Sequence, residues 1–250
     1  MTIHHDWDNT DLHPLEGFQR IPTGWLGAGP ARAAEFVAMP WSKRIFDIVA
    51  ALILLVPLSV VMVAVAVILK ISEGGPILYR AERVSAPGKL FIQLKFRTMA
   101  RDEQDRGATG AHKHWRITRL GHILRRSRLD ELPQLFNILK GDMSFVGPRP
   151  PLPEYVERFP MVYAQVLKSR PGATGLATLI YHRHEDRIMA GCRSAEATED
   201  AYYRRCLPAK LRIDQIYQQH RTMGMDLWII WHTIKIVASR RDERVRRRGR

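Results

Sequence analysis

The chain has 250 residues, a length that suits one folded domain with extensions and provides ample apolar sequence for a core. Its 39 lysines and arginines outnumber 25 acids, and the formal net charge of +14 predicts an anionic partner: nucleic acid, phospholipid or a phosphorylated substrate. Two cysteines, Cys192 and Cys206, do not make a disulfide framework and favour reduced thiols in a cytosolic compartment.

Residues 1–40 have the composition of an irregular extension. Four prolines and four glycines fall in this segment, and its apolar residues follow no sustained period. No apolar run follows a basic start, so the segment is not predicted to be a signal peptide.

The next segment, Ile48–Leu69, has 22 consecutive residues without a charge. At about 1.5 Å per residue it is long enough to cross a bilayer core of about 30 Å. Two features favour a re-entrant hairpin that dips into one leaflet and returns. Lys43 and Lys70 make both flanks basic, and Pro57, followed closely by Ser59, removes a backbone hydrogen bond near the middle. A kinked helix that spans the membrane and a core helix of a soluble protein remain the alternatives.

Two short runs of strand-forming residues follow, Pro76–Tyr79 and Leu90–Phe96, with a Pro-Gly turn between them. Lys95 and Arg97 alternate with apolar residues, so one face of the second run is cationic. That face either contacts a phosphate-bearing substrate or is simply solvated. Residues 101–115, with three acids and two glycines, predict a mobile loop.

Two adjacent carboxylates, Asp130 and Glu131, follow a strongly basic stretch that contains no acid after Asp105. The cations of this stretch are Lys113, Arg116, Arg119, Arg125, Arg126 and Arg128. Cations at this density repel one another unless an anion lies among them, and two carboxylates supply only part of that charge. A phosphate-bearing substrate would supply the rest, because guanidinium groups bind phosphate oxygens bidentately. A solvated helix with salt-bridged acids is the alternative.

A short helix is predicted directly after the acids. Pro133 is a favourable first residue and Gly141 a favourable stop, which puts Asp130 and Glu131 at the positive end of the helix dipole. Farther on, prolines precede and follow Arg149. Their fixed backbone lowers the entropy cost of presenting this arginine in one orientation, as a phosphate-binding residue or simply as part of a turn.

Four sequence blocks in this order carry a resemblance to a known family: KRIFD (43–47), KFRTM (95–99), LDELPQLFNILKGDMSFVGPRP (129–150) and RPGATG (170–175). With these four blocks, the chain resembles the bacterial sugar transferases over roughly residues 41–180. These enzymes are the monotopic polyprenyl-phosphate phosphoglycosyl transferases. The third block is specific, whereas RPGATG alone is a weak signal. The resemblance implies a nucleotide-diphosphate-sugar donor, an undecaprenyl-phosphate acceptor and release of a nucleoside monophosphate. A UDP-sugar is the donor that the resemblance leads us to expect.

Beyond the fourth block the chain departs from the commonest family pattern and reads GLATLIYHRHEDRIMAGC. The resemblance therefore carries no sugar specificity. His182, His184 and Glu185 raise the question of a metal site, but their spacing matches no standard helical ligand pair. A role in capping or solvating a helix is the favoured interpretation.

The segment 225–239 predicts an amphipathic helix. Its apolar face consists of Leu227, Ile230, Trp231, Ile234 and Val237. With Trp228 nearby and an arginine-rich tail after it, the helix suits the headgroup boundary of a membrane of anionic phospholipid. A helix packed on the domain core is the alternative.

The resemblance also implies the roles of individual residues. Asp130 would be the nucleophile that forms a covalent aspartyl–phosphosugar, and Glu131 would hold Mg²⁺. Lys95, Arg125 and Arg149 would contact the substrate phosphates. Nothing in this implied chemistry calls for nucleic acid, and a homodimer is left open.

The expected architecture is α/β and mainly helical, with short strands and interfacial helices. Its parts are an extension (1–40), a re-entrant membrane anchor (41–70), a catalytic domain at the cytoplasmic face of the bacterial inner membrane (71–239) and a basic tail (240–250). The pathway would make exopolysaccharide, O-antigen or another glycan. Two alternatives from other classes are a membrane-tethered nucleic-acid-binding protein and a non-catalytic scaffold of glycan assembly. The chain shows no helix-turn-helix, zinc or RNA-binding signature.

Overall fold

A computed structural model of the chain describes residues 40–100, 116–192 and 194–248. The predicted extension up to residue 39 and the predicted loop 101–115 lie outside these described residues. The elements in chain order are α1 (Trp41–Glu73), β1 (Leu78–Ala86), β2 (Lys89–Phe96), α2 (Arg119–Ser127), a 3₁₀ turn (Leu129–Glu131), α3 (Gln134–Lys140), β3 (Ser144–Val146), α4 (Pro153–Arg158), α5 (Pro160–Val166), β4 (Gly172–Thr174), α6 (Leu176–Ala190), α7 (Ala195–Ala201), a π-helix (Tyr202–Cys206), α8 (Leu207–His220) and α9 (Met223–Arg248). The mainly helical fold with a few strands is therefore confirmed.

The helix α1 is continuous from Trp41 to Glu73, and the predicted hairpin at Pro57 is not confirmed. A proline removes one backbone donor from a helix, and flanking turns accommodate that loss. Ser59 does not break the helix either, because its hydroxyl donates to the carbonyl of Val56 at 2.7 Å. Among the described residues, α1 is the one helix long and apolar enough to cross a membrane, and only 11% of its most apolar stretch is buried.

Both ends of α1 contact the rest of the fold. Near its start, Arg44 donates to the carbonyl oxygens of Ile138 and Leu139, each at 2.6 Å, and so caps the end of α3. At its far end, Arg97 donates to the carbonyl of Glu73 at 3.1 Å. One face of the helix thus lies along the folded domain while the opposite face is exposed and apolar.

The strands β1 and β2 form an antiparallel hairpin. The predicted strand Leu90–Phe96 is confirmed, whereas the predicted run Pro76–Tyr79 is strand only from Leu78, where β1 begins before continuing to Ala86. Tyr79 pairs with Lys95 and Arg83 with Phe91. The turn between the strands contains Gly88 at a φ of 72°, a conformation that favours glycine. Because side chains alternate along a strand, Tyr79, Arg83 and Lys95 share one face of the hairpin.

The strands β3 and β4 form a short parallel pair, Ser144 opposite Gly172 and Val146 opposite Thr174. This pair joins the GPRP and RPGATG blocks side by side. The backbones approach so closely that a Cβ atom on Gly147 would collide with the carbonyl oxygen of Arg170. Glycine is required here by contact with a neighbouring segment.

The helix α9 confirms the predicted amphipathic helix and continues to Arg248, into the stretch predicted as a basic tail. Asp226 and Ile229 are buried, whereas Trp228 and Trp231 are 47% and 65% exposed. The predicted apolar face is therefore turned away from the domain, and the opposite face packs on it. At the start of α9, Asp226 forms a buried ion pair with Lys43 of α1.

Candidate active site

An open cleft of about 1360 Å³ lies between α1, the β1–β2 hairpin, α2 and α3. The structure brings every predicted catalytic and phosphate-binding residue to this one cleft. These residues are Lys95, Arg125, Asp130, Glu131 and Arg149. The cleft thus joins segments from four parts of the chain around one pair of carboxylates.

The two acids are positioned by a sharp reversal of the backbone. Arg128 ends α2 in the left-handed region at a φ of 61°, a conformation uncommon for a residue other than glycine. A 3₁₀ turn then carries Asp130 and Glu131, and Pro133 caps α3 before the helix ends at Gly141. The predicted helix after the acids is therefore confirmed. Non-glycine residues in this conformation concentrate at functional sites.

Asp130 is buried, and its Oδ1 atom has no hydrogen-bond partner among the described residues. Burial raises the pKa of this carboxyl, and the charge of Glu131 raises it further. Lys95, Arg128 and Arg125 act in the opposite direction, without cancelling the rise. A buried carboxylate oxygen without a partner is weakly solvated. Oδ1 of Asp130 is therefore the carboxylate oxygen of the two acids that is available to react or to bind a ligand.

Glu131 is held on both sides. Its Oε1 accepts from Lys95 Nζ at 3.2 Å, and its Oε2 pairs with Arg128 Nη2 at 3.1 Å. Burial alone would raise the pKa of Glu131, but Lys95 and Arg128 outweigh it, so the pKa is lowered. Two adjacent acids with pKa values shifted in opposite directions have different chemical roles.

Lys95 and Arg125 are anchored by the fold near the acids. Burial lowers the pKa of Lys95, and the charge of Glu131 partly offsets that effect. Arg125 donates through Nε to the hydroxyl of Thr98 at 2.8 Å, which fixes its side chain beside β2. The closely packed Gly121 on α2 leaves no room for a side chain against Thr98, and so brings Arg125 near.

Arg149 is exposed, in contrast to the buried prolines on either side of it. The Pro148 carbonyl accepts from the amide of Gly172 at 2.8 Å, so the GPRP loop is held by the RPGATG loop. Within the described part of the chain, Arg149 has neither a hydrogen bond nor an ion pair. Its backbone is therefore fixed while its guanidinium is free for an anion.

Arg83 and Phe136, neither of which was predicted from the sequence, also line the cleft. Arg83 lies on β1, which was recognised only at its start, and its nearness to Arg149 depends on tertiary pairing. Phe136, on α3, is 46% exposed. An exposed aromatic side chain beside Pro133 gives the cleft an apolar wall next to its charged one.

The predicted Mg²⁺ was tested against the donor atoms of the site. The described residues contain no group of three or more potential metal ligands. Asp130 nevertheless has a buried carboxylate oxygen without a partner, beside a second carboxylate on Glu131. Two carboxylates fit Mg²⁺, which binds few protein oxygens and completes its shell with water and substrate phosphate.

The structure accounts for the three residues on α6 that raised the question of another metal. Glu185 is paired with Lys210 at 2.9 Å. His182 Nδ1 contacts the carbonyl of Leu179 at 3.0 Å, and the His184 ring packs on Tyr181. These contacts are structural.

The cleft thus combines a carboxylate pair among cations with the apolar side of a long helix. The sequence model for "Bacterial sugar transferase" matches residues 38–240. The chain belongs to the bacterial sugar transferase family.

Three relatives illustrate the range of the family. The chain is 33% identical over 201 residues to the UDP-N-acetylgalactosamine-undecaprenyl-phosphate N-acetylgalactosaminephosphotransferase of Aeromonas hydrophila, covering 78% of this chain and 43% of that protein. It is 34% identical over 212 residues to the exopolysaccharide production protein ExoY of Sinorhizobium fredii, covering 78% and 85%. It is 35% identical over 220 residues to the UDP-glucose:undecaprenyl-phosphate glucose-1-phosphate transferase of Caulobacter vibrioides, covering 86% and 74%. The chain thus spans less than half of the first relative and most of the other two.

Proposed function

We propose that this protein transfers a sugar 1-phosphate from a UDP-sugar to undecaprenyl phosphate and releases UMP, at the start of exopolysaccharide or related glycan synthesis. The observation that carries the proposal is the free, buried oxygen of Asp130 in a cleft lined by cations. The names of the Aeromonas and Caulobacter relatives, which specify UDP-sugars and undecaprenyl phosphate, support the substrates.

The proposed reaction takes place at phosphorus, because the sugar phosphate is transferred whole. An Asp130 carboxylate oxygen attacks the phosphorus that bears the sugar, and an acyl-phosphate bond forms. The bond from that phosphorus to the bridging oxygen breaks, and its electron pair leaves with UMP. An oxygen of undecaprenyl phosphate then attacks the same phosphorus, which forms the lipid diphosphate sugar and returns Asp130 as a carboxylate.

The surrounding residues supply charge and position. Lys95, Arg149 and Arg125 line the cleft, and their positive charges would offset the negative charge of the diphosphate. Glu131 is fixed by its ion pairs with Lys95 and Arg128, and its carboxylate places a negative charge next to Asp130. When bound, Mg²⁺ would neutralise phosphate charge, with Glu131 as its protein ligand.

The apolar wall of the cleft supports a lipid acceptor. Met62, Val63 and Ala66 of α1 line the same cleft as Asp130, as does Phe136. A polyprenyl chain alongside α1 would bring its phosphate from the membrane to the acids. The exposed apolar faces of α1 and α9 support a position at the membrane. The contacts of both α1 ends with one domain support an arrangement with both ends on the same side, which we propose is the cytoplasmic side.

The test is turnover by the purified full chain in detergent or nanodiscs. UDP-glucose, UDP-galactose and UDP-N-acetylgalactosamine are each supplied with undecaprenyl phosphate and Mg²⁺, and UMP release is measured with and without the lipid. We expect UMP and a lipid-linked sugar with at least one donor. A nucleic-acid-binding protein or an inactive scaffold would release no UMP with any of them, and the proposal would then fail.

A further inference from the structure

Arg83 lines the same cleft as Asp130, on the hairpin face that also carries Lys95. The amide of the next residue, Val84, donates to the carbonyl of Pro151 at 3.1 Å. This bond fastens β1 to the loop that carries Arg149. Arg83 and Arg149 also line a smaller cavity that shares Lys95 and Glu131 with the cleft.

Neither arginine forms an ion pair with an acid in the part of the chain that the structure describes. The Arg83 guanidinium donates one long hydrogen bond within the described residues, to the carbonyl of Glu82 at 3.4 Å. Burial lowers the pKa of Arg83, and the charge of Arg149 lowers it further. An arginine remains protonated despite such shifts. Two guanidiniums that line the same cleft without an ion pair therefore favour an anion between them.

The strand register gives the order of groups along the hairpin. Lys95 lies opposite Tyr79 and pairs with Glu131, whereas Arg83 lies farther along the same face of β1, opposite Phe91. Arg149 lines the cleft together with both. A line along this hairpin face therefore runs from Lys95, beside the acids, to Arg83. If one phosphorus of a diphosphate lies at Asp130, the second phosphate lies farther along this line.

We propose that Arg83 and Arg149 together bind the phosphate that leaves with the nucleoside. The inference rests on the proposed function and deepens it by assigning the leaving group to a pair of guanidiniums. As the bridging P–O bond breaks, its electron pair passes to the oxygen of the departing UMP. The guanidinium N–H groups of the two arginines donate to that phosphate and stabilise its added charge.

The experiment measures UMP binding by the full chain in nanodiscs, using calorimetry, together with inhibition of turnover by UMP. Arg83→Ala should weaken UMP binding by about 10–100-fold, the effect of losing a charged hydrogen-bonding partner. Arg83→Lys should recover only part, because lysine restores the charge without the planar fork. Lys89→Ala, at the exposed tip of the hairpin, is the matched control and should bind UMP as the wild type does.

A second measurement, the rate of the lipid half-reaction, distinguishes binding of the leaving phosphate from general damage to the site. Transfer of sugar phosphate from pre-formed covalent enzyme to undecaprenyl phosphate should keep its rate in Arg83→Ala, since UMP has already left. Unchanged UMP affinity in a folded Arg83→Ala protein would overturn the assignment while leaving the proposed function intact. A wild-type protein that neither binds UMP nor turns over would overturn both.

Discussion

The side chains of Lys95 and Glu131 form an ion pair, with 3.2 Å between Nζ and Oε1, that ties the β-hairpin to the turn carrying Asp130. Lys95 therefore acts on two neighbouring acids at once. It lowers the pKa of Glu131 against the effect of burial, and it limits the rise of the pKa of Asp130. The pKa values of the two acids are therefore shifted in opposite directions, down for Glu131 and up for Asp130.

The acid limb of the pH–rate profile should report the raised pKa of Asp130. Activity needs the carboxylate, so the rate should fall as the pH drops, and at a higher pH than for an ordinary aspartate. Lys95→Met removes a cation and should move the limb to still higher pH. Glu131→Gln removes an anion and should move it to lower pH. Single-turnover rates between pH 4 and 8, roughly spanning carboxylate titration, provide the measurement.

Lys140→Met is the control for this experiment, since Lys140 lies at the end of α3 with a 75% exposed side chain and pairs with Asp142. Its limb should coincide with that of the wild type. If Lys95→Met and Glu131→Gln displaced the limb in the same direction, Asp130 would not be the group that titrates.

Glu131→Gln should also raise the Mg²⁺ concentration needed for half-maximal activity. The amide is a weaker ligand than the carboxylate, and we expect a change of about 10–100-fold, as for other losses at metal sites. Additional Mg²⁺ or Mn²⁺ should restore part of the rate. Titration of initial rates with each metal is the measurement. A uniform loss of rate with an unchanged metal requirement would mean that Glu131 holds no metal.

Both ends of α1 should lie on the cytoplasmic side, because both contact the same domain. Trp41→Cys and Lys70→Cys test this at exposed positions on either flank. Cys192→Ser provides the background, since Cys206 is buried and its pKa is raised to about 11, which leaves little reactive thiolate. A membrane-impermeant maleimide should label neither flank in intact spheroplasts and both after permeabilisation.

Labelling of one flank only from outside would instead mean that α1 crosses the membrane. Pro57→Leu restores the missing backbone donor and is a useful companion, because it favours a straight spanning helix. If the labelling of the α1 flanks changes only in Pro57→Leu, the proline is what keeps both ends of α1 on the same side.

The exposed face of α9 should lie at the depth of the lipid headgroups. A spin label at Trp231→Cys should be more accessible to oxygen than to a polar nickel chelate when the protein is in anionic nanodiscs. A label at Asp200→Cys, on the exposed surface of α7, should show the reverse and is the control. Equal accessibility profiles at the two positions would place the α9 face in solvent.

Local signals predicted much of the site. Pro133 and Gly141 fix the ends of α3, and the adjacent acids at its start follow from the sequence order alone. The unbroken course of α1 through Pro57 was not predictable, because the cost of a helical proline depends on what surrounds it. The approach of Arg83 to Arg149 was not predictable either, since it depends on a hydrogen bond between Val84 and Pro151 that no local pattern encodes.

Asp130→Asn should abolish both overall transfer and the donor half-reaction, because an amide cannot form the acyl phosphate. Wild-type enzyme incubated with the UDP-sugar but no lipid should gain the mass of a phosphosugar on the peptide that contains Asp130. It should also exchange labelled UMP into the donor. Asp200→Asn, an exposed acid paired with Arg204, should behave as the wild type in both measurements.

The alternative to this two-step route is direct transfer in a ternary complex, with Asp130 as a base or metal ligand. That route needs both substrates together, so it gives neither an adduct nor exchange in the absence of lipid. Mass spectrometry of the wild-type peptide decides between the two, because only the two-step route leaves a phosphosugar on Asp130 when the lipid is absent. Turnover at the full rate with no adduct and no exchange would remove Asp130 from the role of nucleophile.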